Sequence, residues 1–236
     1  MEIELLREWK NDVLDNEDAI VIAPLNLEVV VSIVTNIEVQ ELFKKLDIKT
    51  VDGKWLQIFL RIFCKIKSKK ISGSDLYAII LDHLNSHSKK ILIVGGEEQS
   101  NAGALEILSD KYKKLEFFGH VPEFDDSLGK IESDLKSIIE TNDIHFCLMC
   151  LGCPKQERIA YGLKKITNSN LKTLCAGGTV DFISGKRKRA PKFFQNYGLE
   201  WLYRIKQEPV LRSKRYIKAF FLLIINFRET VKMFVK

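Results

Sequence analysis

Short apolar, β-branched runs that stop at a glycine turn recur along this chain, and this rhythm restricts the fold more than any single residue. Ala19–Leu25, Ile48–Val51, Lys90–Val94, Leu115–Phe118, Ile144–Leu151 and Leu171–Ala176 each fit a strand. Between them, Glu28–Leu46 (as one or two helices), Leu76–Asn85, Ala102–Lys113, Leu128–Thr141 and Gln156–Ile166 carry helical periodicity. A β-then-α alternation predicts an α/β fold with a mostly parallel sheet and helices on both faces. At 236 residues, one compact domain with an appendage is the natural organisation. No internal repeat or low-complexity linker interrupts it.

Four of the strands end in a glycine-containing turn: Asp52-Gly53, Gly95-Gly96, Gly152 and Gly177-Gly178. Ligands of open parallel sheets bind beyond the carboxyl ends of the strands. Glycine there lets backbone approach a phosphate, and the next helix offers free N–H groups. One such turn is more simply a helix start; four in one sheet point to a ligand cleft. None has the glycine spacing of a dinucleotide or nucleoside-triphosphate loop, which moves ordinary NAD and ATP enzymes down the list. Asp52 is the candidate general base, placed at a strand end to take a proton from a substrate hydroxyl. The alternative is an Asp-Gly turn stabilised by its own side chain. Gln156 and Glu157 fall in the first turn of a helix, where Gln156 can hydrogen-bond a ligand and Glu157 complements the helix dipole. Asp181 follows the last glycine turn, in reach of a ribose or base edge.

The charge is unevenly placed. Net charge is +6, yet residues 186–236 hold 14 Lys or Arg against three Asp or Glu, which leaves the rest mildly acidic. The tail therefore has an anionic partner, either lipid or nucleic acid. Within it, Ala219–Phe227 is almost wholly apolar and flanked by Arg212, Lys214, Arg215, Lys218, Arg228 and Lys232. It is too short for a bilayer span, which takes about 20 residues. It suits a helix lying in an anionic membrane interface; the alternative is a C-terminal core helix. Nucleic-acid binding through Lys186–Arg189 lacks a stacking platform or helix-turn-helix signature. Cys147, Cys150 and Cys153 recur every three residues, but a strand turns the first two to opposite faces, so a metal site is not expected. Unpaired thiols fit a reducing cytoplasm. Met1–Lys10 is polar and acidic, unlike a signal peptide.

Several segments together resemble the WecG/TagA/CpsF glycosyltransferases: Asn26-Leu27-Glu28, Val51-Asp52-Gly53, Ile71–Leu76, Val94-Gly95-Gly96, Leu151–Glu157, Gly177–Phe182, Arg189-Ala190-Pro191 and Gly198–Pro209. The similarity runs from about Asn26 to Tyr216, and the order and spacing are specific although each piece alone is weak. It implies a Rossmann-like catalytic domain at residues 1–191 and a basic, amphipathic, membrane-associating helical appendage at 192–236. It further implies transfer of an N-acetylmannosamine-type sugar from a UDP-sugar to an undecaprenyl-diphosphate-linked acceptor, with inversion and without a metal or other cofactor. Asp52 falls on the family's proposed base and Gln156 on a donor-site residue. Substrate contacts are implied for Asn26, Lys70, Asp75, Gly95, Gly96, Gly152, Glu157 and Asp181. Arg204, Arg212 and Arg215 would meet the diphosphates. The resemblance places the protein peripherally on the cytoplasmic face of a bacterial membrane; nucleic acid is not an expected partner, and self-association as a homo-oligomer is compatible with the sequence.

Three positions depart from the family pattern. Pro24 replaces a Thr, Lys70 an Arg, and Pro122-Glu123-Phe124 a Gly-Tyr-Phe segment. Lysine keeps the charge but loses the bidentate fork. These changes imply a different sugar or, as the alternative, a degenerate member that binds without turnover. Retention of Asp52, Gln156 and the tail arginines favours the changed sugar.

Overall fold

A computed structural model describes residues 5–6, 10–167 and 170–235; most of Met1–Lys10 lies outside this range. The chain opens with a single turn, α1 (Asp12–Asp15), then β1 (Ile20–Leu25), α2 (Leu27–Thr35), α3 (Ile37–Lys45) and β2 (Ile48–Val51). Next come α4 (Lys54–Phe63), α5 (Gly73–Leu84), β3 (Lys90–Gly95), α6 (Glu98–Lys111), β4 (Glu116–His120) and α7 (Leu128–Asn142). They lead to β5 (Phe146–Cys150), α8 (Lys155–Ile166), β6 (Lys172–Cys175) and α9 (Thr179–Ile183). The end of the chain is helical: α10 (Lys192–Asn196), α11 (Glu200–Gln207), α12 (Pro209–Ile225) and α13 (Phe227–Phe234).

The six strands form one sheet in the order β2-β1-β6-β5-β3-β4, and every pairing is parallel. This is the Rossmann-like α/β architecture that the β-then-α rhythm predicts. Strand alternation feeds two cores. Val21, Ala23, Leu25, Leu92, Val94, Cys147, Met149 and Cys175 face one helical layer. Ile20, Ile22, Ile91, Ile93, Phe146, Leu148, Cys150 and Leu174 face the other. Cys147 and Cys150 thus lie on opposite faces, as the strand period requires. Connections from β1 run outward to β2 and those from β3 outward to β4. The divergence leaves a crevice beyond the carboxyl ends of the strands between them.

Local chemistry explains the details. Asn36 splits the Glu28–Leu46 pattern into two helices, because its side chain accepts from the N–H groups of Glu38 and Val39 at 2.9 and 3.3 Å. Pro24 costs no sheet hydrogen bond. The β1–β6 ladder ends at Ile22↔Leu174, and toward β2 it is Leu25 whose carbonyl accepts from Asp52 N at 2.7 Å. The sequence reading leaves residues 54–70 unassigned, yet Leu56, Phe59 and Leu60 are buried at helical spacing in α4.

The apolar tail is not one uniform segment. Asn226 ends α12 and its Nδ2 donates to Leu222 O at 2.9 Å. After this break α13 turns Met233 and Phe234 inward, at 0% and 6% exposure, into the core that also holds Val30 and Phe59. On α12, by contrast, Ile217, Phe220, Phe221, Ile224 and Ile225 are exposed. Among the described residues no helix is long and apolar enough to cross a membrane.

Truncating a buried methionine removes transfer energy and leaves a cavity, so Met233→Ala should cost about 2–5 kcal/mol. Phe221→Ala, at an exposed position, should change stability by about 0.5 kcal/mol or less. Chemical denaturation of the two variants checks this; equal effects would contradict the inward placement of α13.

Candidate active site

The crevice floor is built where glycine is sterically required. Gly95 and Gly96 adopt φ of +94° and +80° at the end of β3. A Cβ on Gly95 would lie 2.7 Å from the Cys150 carbonyl, and one on Gly96 would lie 2.6 Å from Val180 Cγ1. Asn101, which the sequence reading does not single out, donates from Nδ2 to the carbonyls of Ile93 and Gly95 at 3.1 and 2.9 Å and so fixes this strand end. A polar residue inside an amphipathic helix pattern was the available signal.

Gln156 ties two further strand ends together. Its Oε1 accepts from Gly152 N at 3.2 Å and from Gly177 N at 3.1 Å, while Nε2 donates to Glu157 Oε1 at 2.8 Å. The expectation was a side chain turned to a ligand. The structure turns it inward, 5% exposed, because two glycine turns leave amides that need an acceptor. Glu157 is 1% exposed, and its Oε2 has no hydrogen-bond partner among the described residues. Burial pushes its carboxyl above the usual range, against the opposing pull of the Gln156 hydrogen bond. It lies in the first turn of α8, as expected, and also accepts the hydrogen bond that fixes Gln156.

Asp52 stands at the other side of the crevice, between β2 and α4, with Gly53 at φ +96° turning the chain after it. Burial pushes its carboxyl up to about 6; Arg204, Lys70 and the Gly73 N–H pull it down, and Glu200 pushes it up. The first of these wins, yet the group stays largely ionised at neutral pH. Lys70, on a bridge beside Val51, points Nζ at the Gln195 carbonyl at 3.4 Å and at Glu200 at 3.8 Å. Arg204 also lies over the Phe182 ring at 5.8 Å. Strand end and C-terminal helices therefore converge on Asp52; Glu200 comes from the Gly198–Pro209 segment, while Gln195 joins the site although no motif marked it.

The remaining predicted residues are placed as follows. Asn26 caps α2, accepting from Val29 N at 3.0 Å. Asp75 accepts from Ser72 Oγ at 2.6 Å and from Arg189 at 2.7 Å at the start of α5. Asp181 pairs with Arg187 at 3.3 Å, and Arg187 also reaches Glu208 at 2.7 Å. Three of the four cations of the Lys186–Arg189 run are thus engaged with carboxylates, Lys186 pairing with Glu97 at 2.5 Å, and Lys188 is exposed. Arg212 holds Glu208 at 2.8 Å and Arg215 holds Glu28, whereas the charge of Arg204 bears on Asp52.

A parallel sheet with a buried carboxyl and cations gathered beyond its strand ends makes a crevice of the kind in which α/β proteins bind ligands. The family model described as glycosyl transferase WecG/TagA/CpsF family matches residues 2–233, and the chain belongs to that family. It is a cell-envelope glycosyltransferase, with a sugar nucleotide as donor and a lipid-linked acceptor in general terms.

Because the Glu157 carboxyl is raised in the folded state, its contribution to stability is full below the unfolded glutamate pKa, about 4.3, and is lost as pH rises through the folded value. Glu157→Gln should therefore flatten the loss of stability on the neutral side, read from denaturation midpoints at a series of pH values. A wild-type and variant pair with parallel pH profiles would exclude the buried carboxyl as the source.

Proposed function

We propose that this chain is an inverting transferase that moves an N-acetylmannosamine-type or related sugar from a UDP-sugar to an acceptor sugar on a polyprenyl diphosphate, for a polymer such as teichoic acid, capsule or exopolysaccharide. The observation that carries the reading is the Asp52 carboxyl, raised to about 6 by burial yet held ionisable by Arg204 and Lys70. Asp52 takes the proton of the acceptor hydroxyl as that oxygen attacks the anomeric carbon. The bond from that carbon to the UDP oxygen breaks, and UDP leaves from the opposite face. The departing diphosphate needs positive charge, which arginine supplies as a planar fork without a metal ion or other cofactor. Gln156 serves the donor side by fixing the two glycine turns that would face the nucleotide. Gly152, Asn26 and Asp75 frame the same crevice.

The exposed apolar face of α12 supports peripheral attachment to the inner face of a bacterial membrane. Phe220, Phe221, Ile224 and Ile225 are available there beside Lys214, Lys218 and Arg228. Pro24 disturbs no sheet hydrogen bond, and Lys70 retains its charge beside Asp52; both support a retuned sugar rather than a silenced site.

Asp52→Asn should abolish transfer while donor binding persists, and an active variant would remove Asp52 from its role. In the wild type, kcat/KM should fall roughly tenfold per pH unit below about 6 as the base is protonated. Arg204→Ala removes a cation that lowers this pKa, so the acidic limb of the rate profile should move to higher pH. Activity should survive chelation with EDTA; its loss, restored by a divalent ion, would overturn the metal-free mechanism. Phe220→Glu with Ile224→Glu should release the folded protein from anionic vesicles in a sedimentation assay, and retained binding would count against α12 as the anchor.

A further inference from the structure

The segment after Asp52 has a chemistry that neither the tail nor the glycine turns account for. From Lys54 to Lys70 it holds six Lys or Arg and no Asp or Glu. Lys54, Gln57, Ile58 and Arg61 recur at the spacing of one helical face and form one wall of a cleft of about 370 Å³. Ile66, Lys67 and Ser68 form the facing wall. The walls are fixed to each other: Gln57 Nε2 donates to Ser68 O at 2.7 Å, and Ile66 N to Leu60 O at 3.0 Å. Ser68 Oγ has no hydrogen-bond partner among the described residues. Arg61 and Lys67 are exposed and form no ion pair among the described residues.

A second cleft, of about 340 Å³, shares Lys54 and Gln57 and adds Lys70 and Gln195. The two together run from beside Asp52 out to Arg61 and Lys67. At the outer end Ile62 and Phe63 are 61% and 49% exposed. Phe63 packs edge-on against Phe227, with centroids 4.9 Å apart, at the end of the α12 apolar surface. A cationic trough that opens onto exposed apolar side chains suits an amphipathic anion, charged at one end and greasy at the other.

We propose that this trough along α4 binds the diphosphate of the lipid-linked acceptor, with Arg61 and Lys67 on the phosphates and Ile62 and Phe63 against the first isoprene units. The assignment rests on the transferase reading above. It places the acceptor lipid on α4, with Lys54 and Lys70 leading its sugar toward Asp52. The same cations would also attract a free phosphate, and the apolar rim distinguishes the two.

The test uses the full chain, farnesyl diphosphate and inorganic pyrophosphate as probes, and the double variant Arg61→Glu, Lys67→Glu, whose sites are exposed and outside the core. Calorimetry should show farnesyl diphosphate bound at least tenfold more tightly than pyrophosphate, and the double variant should lose at least tenfold in farnesyl diphosphate affinity. Acceptor KM should rise by a similar factor while donor KM stays within twofold. Unchanged farnesyl diphosphate affinity in the variant overturns the site, and equal affinity for the two probes overturns the lipid assignment. If the wild type transfers no sugar yet binds farnesyl diphosphate in an Arg61- and Lys67-dependent way, the transferase reading fails and the trough stands.

Discussion

A parallel sheet buried on both faces leaves its strand ends as the place where backbone and side chains can meet a ligand. Here every strand pairing is parallel and two cores occupy the two faces, and the glycine turns gather at the carboxyl rim. The rim in turn must satisfy many free amides and carbonyls at once. Glycine at Gly95 and Gly96 allows the close approach of β5 and α9. The Gln156 amide then supplies the acceptor that the turns at Gly152 and Gly177 need. Once that amide is fixed by Glu157, the ends of β5 and β6 hold one spacing.

This arrangement separates two kinds of buried polar group. Gln156 and Asn101 are neutral amides that satisfy backbone at modest desolvation cost. Glu157 and Asp52 are carboxyls whose ionisation burial resists, and both are raised. Their surroundings differ in what opposes burial. Glu157 has amide and thiol neighbours, whereas Asp52 has Arg204 and Lys70. A carboxyl faced by cations stays available as a base near neutrality; one faced by an amide serves better as a fixed hydrogen-bond partner.

Much of this was legible in the sequence because strand and helix periods are local signals. The six strands, the glycine turns and the position of Asp52 at a strand end all follow from residues a few places apart. What failed to show was long-range. Nothing near Gln156 announces that Gly177, 21 residues on, would occupy it. Nothing in Lys186–Arg189 announces Glu97, Asp181, Glu208 and Asp75 as its partners. The α4 helix was locally visible through Leu56, Phe59 and Leu60 at helical spacing, and the sequence reading passed over it. The apolar run Ala219–Phe227 hides a break, since a single Asn226 decides that α13 returns to the core while α12 stays outside.

The C-terminal helices therefore do two jobs through one packing arrangement. Met233 and Phe234 anchor α13 in the core, and α12 and α13 pack on α2. With that end held, α11 brings Arg204 and Glu200 to Asp52 with opposite effects on its pKa. Both charges sit on one helix, so they reach Asp52 together and act there beside Lys70 and the Gly73 N–H. The helix that carries the exposed phenylalanines, α12, packs on α11 as well as on α2, so one set of contacts holds both that apolar surface and the helix that brings Arg204 to Asp52.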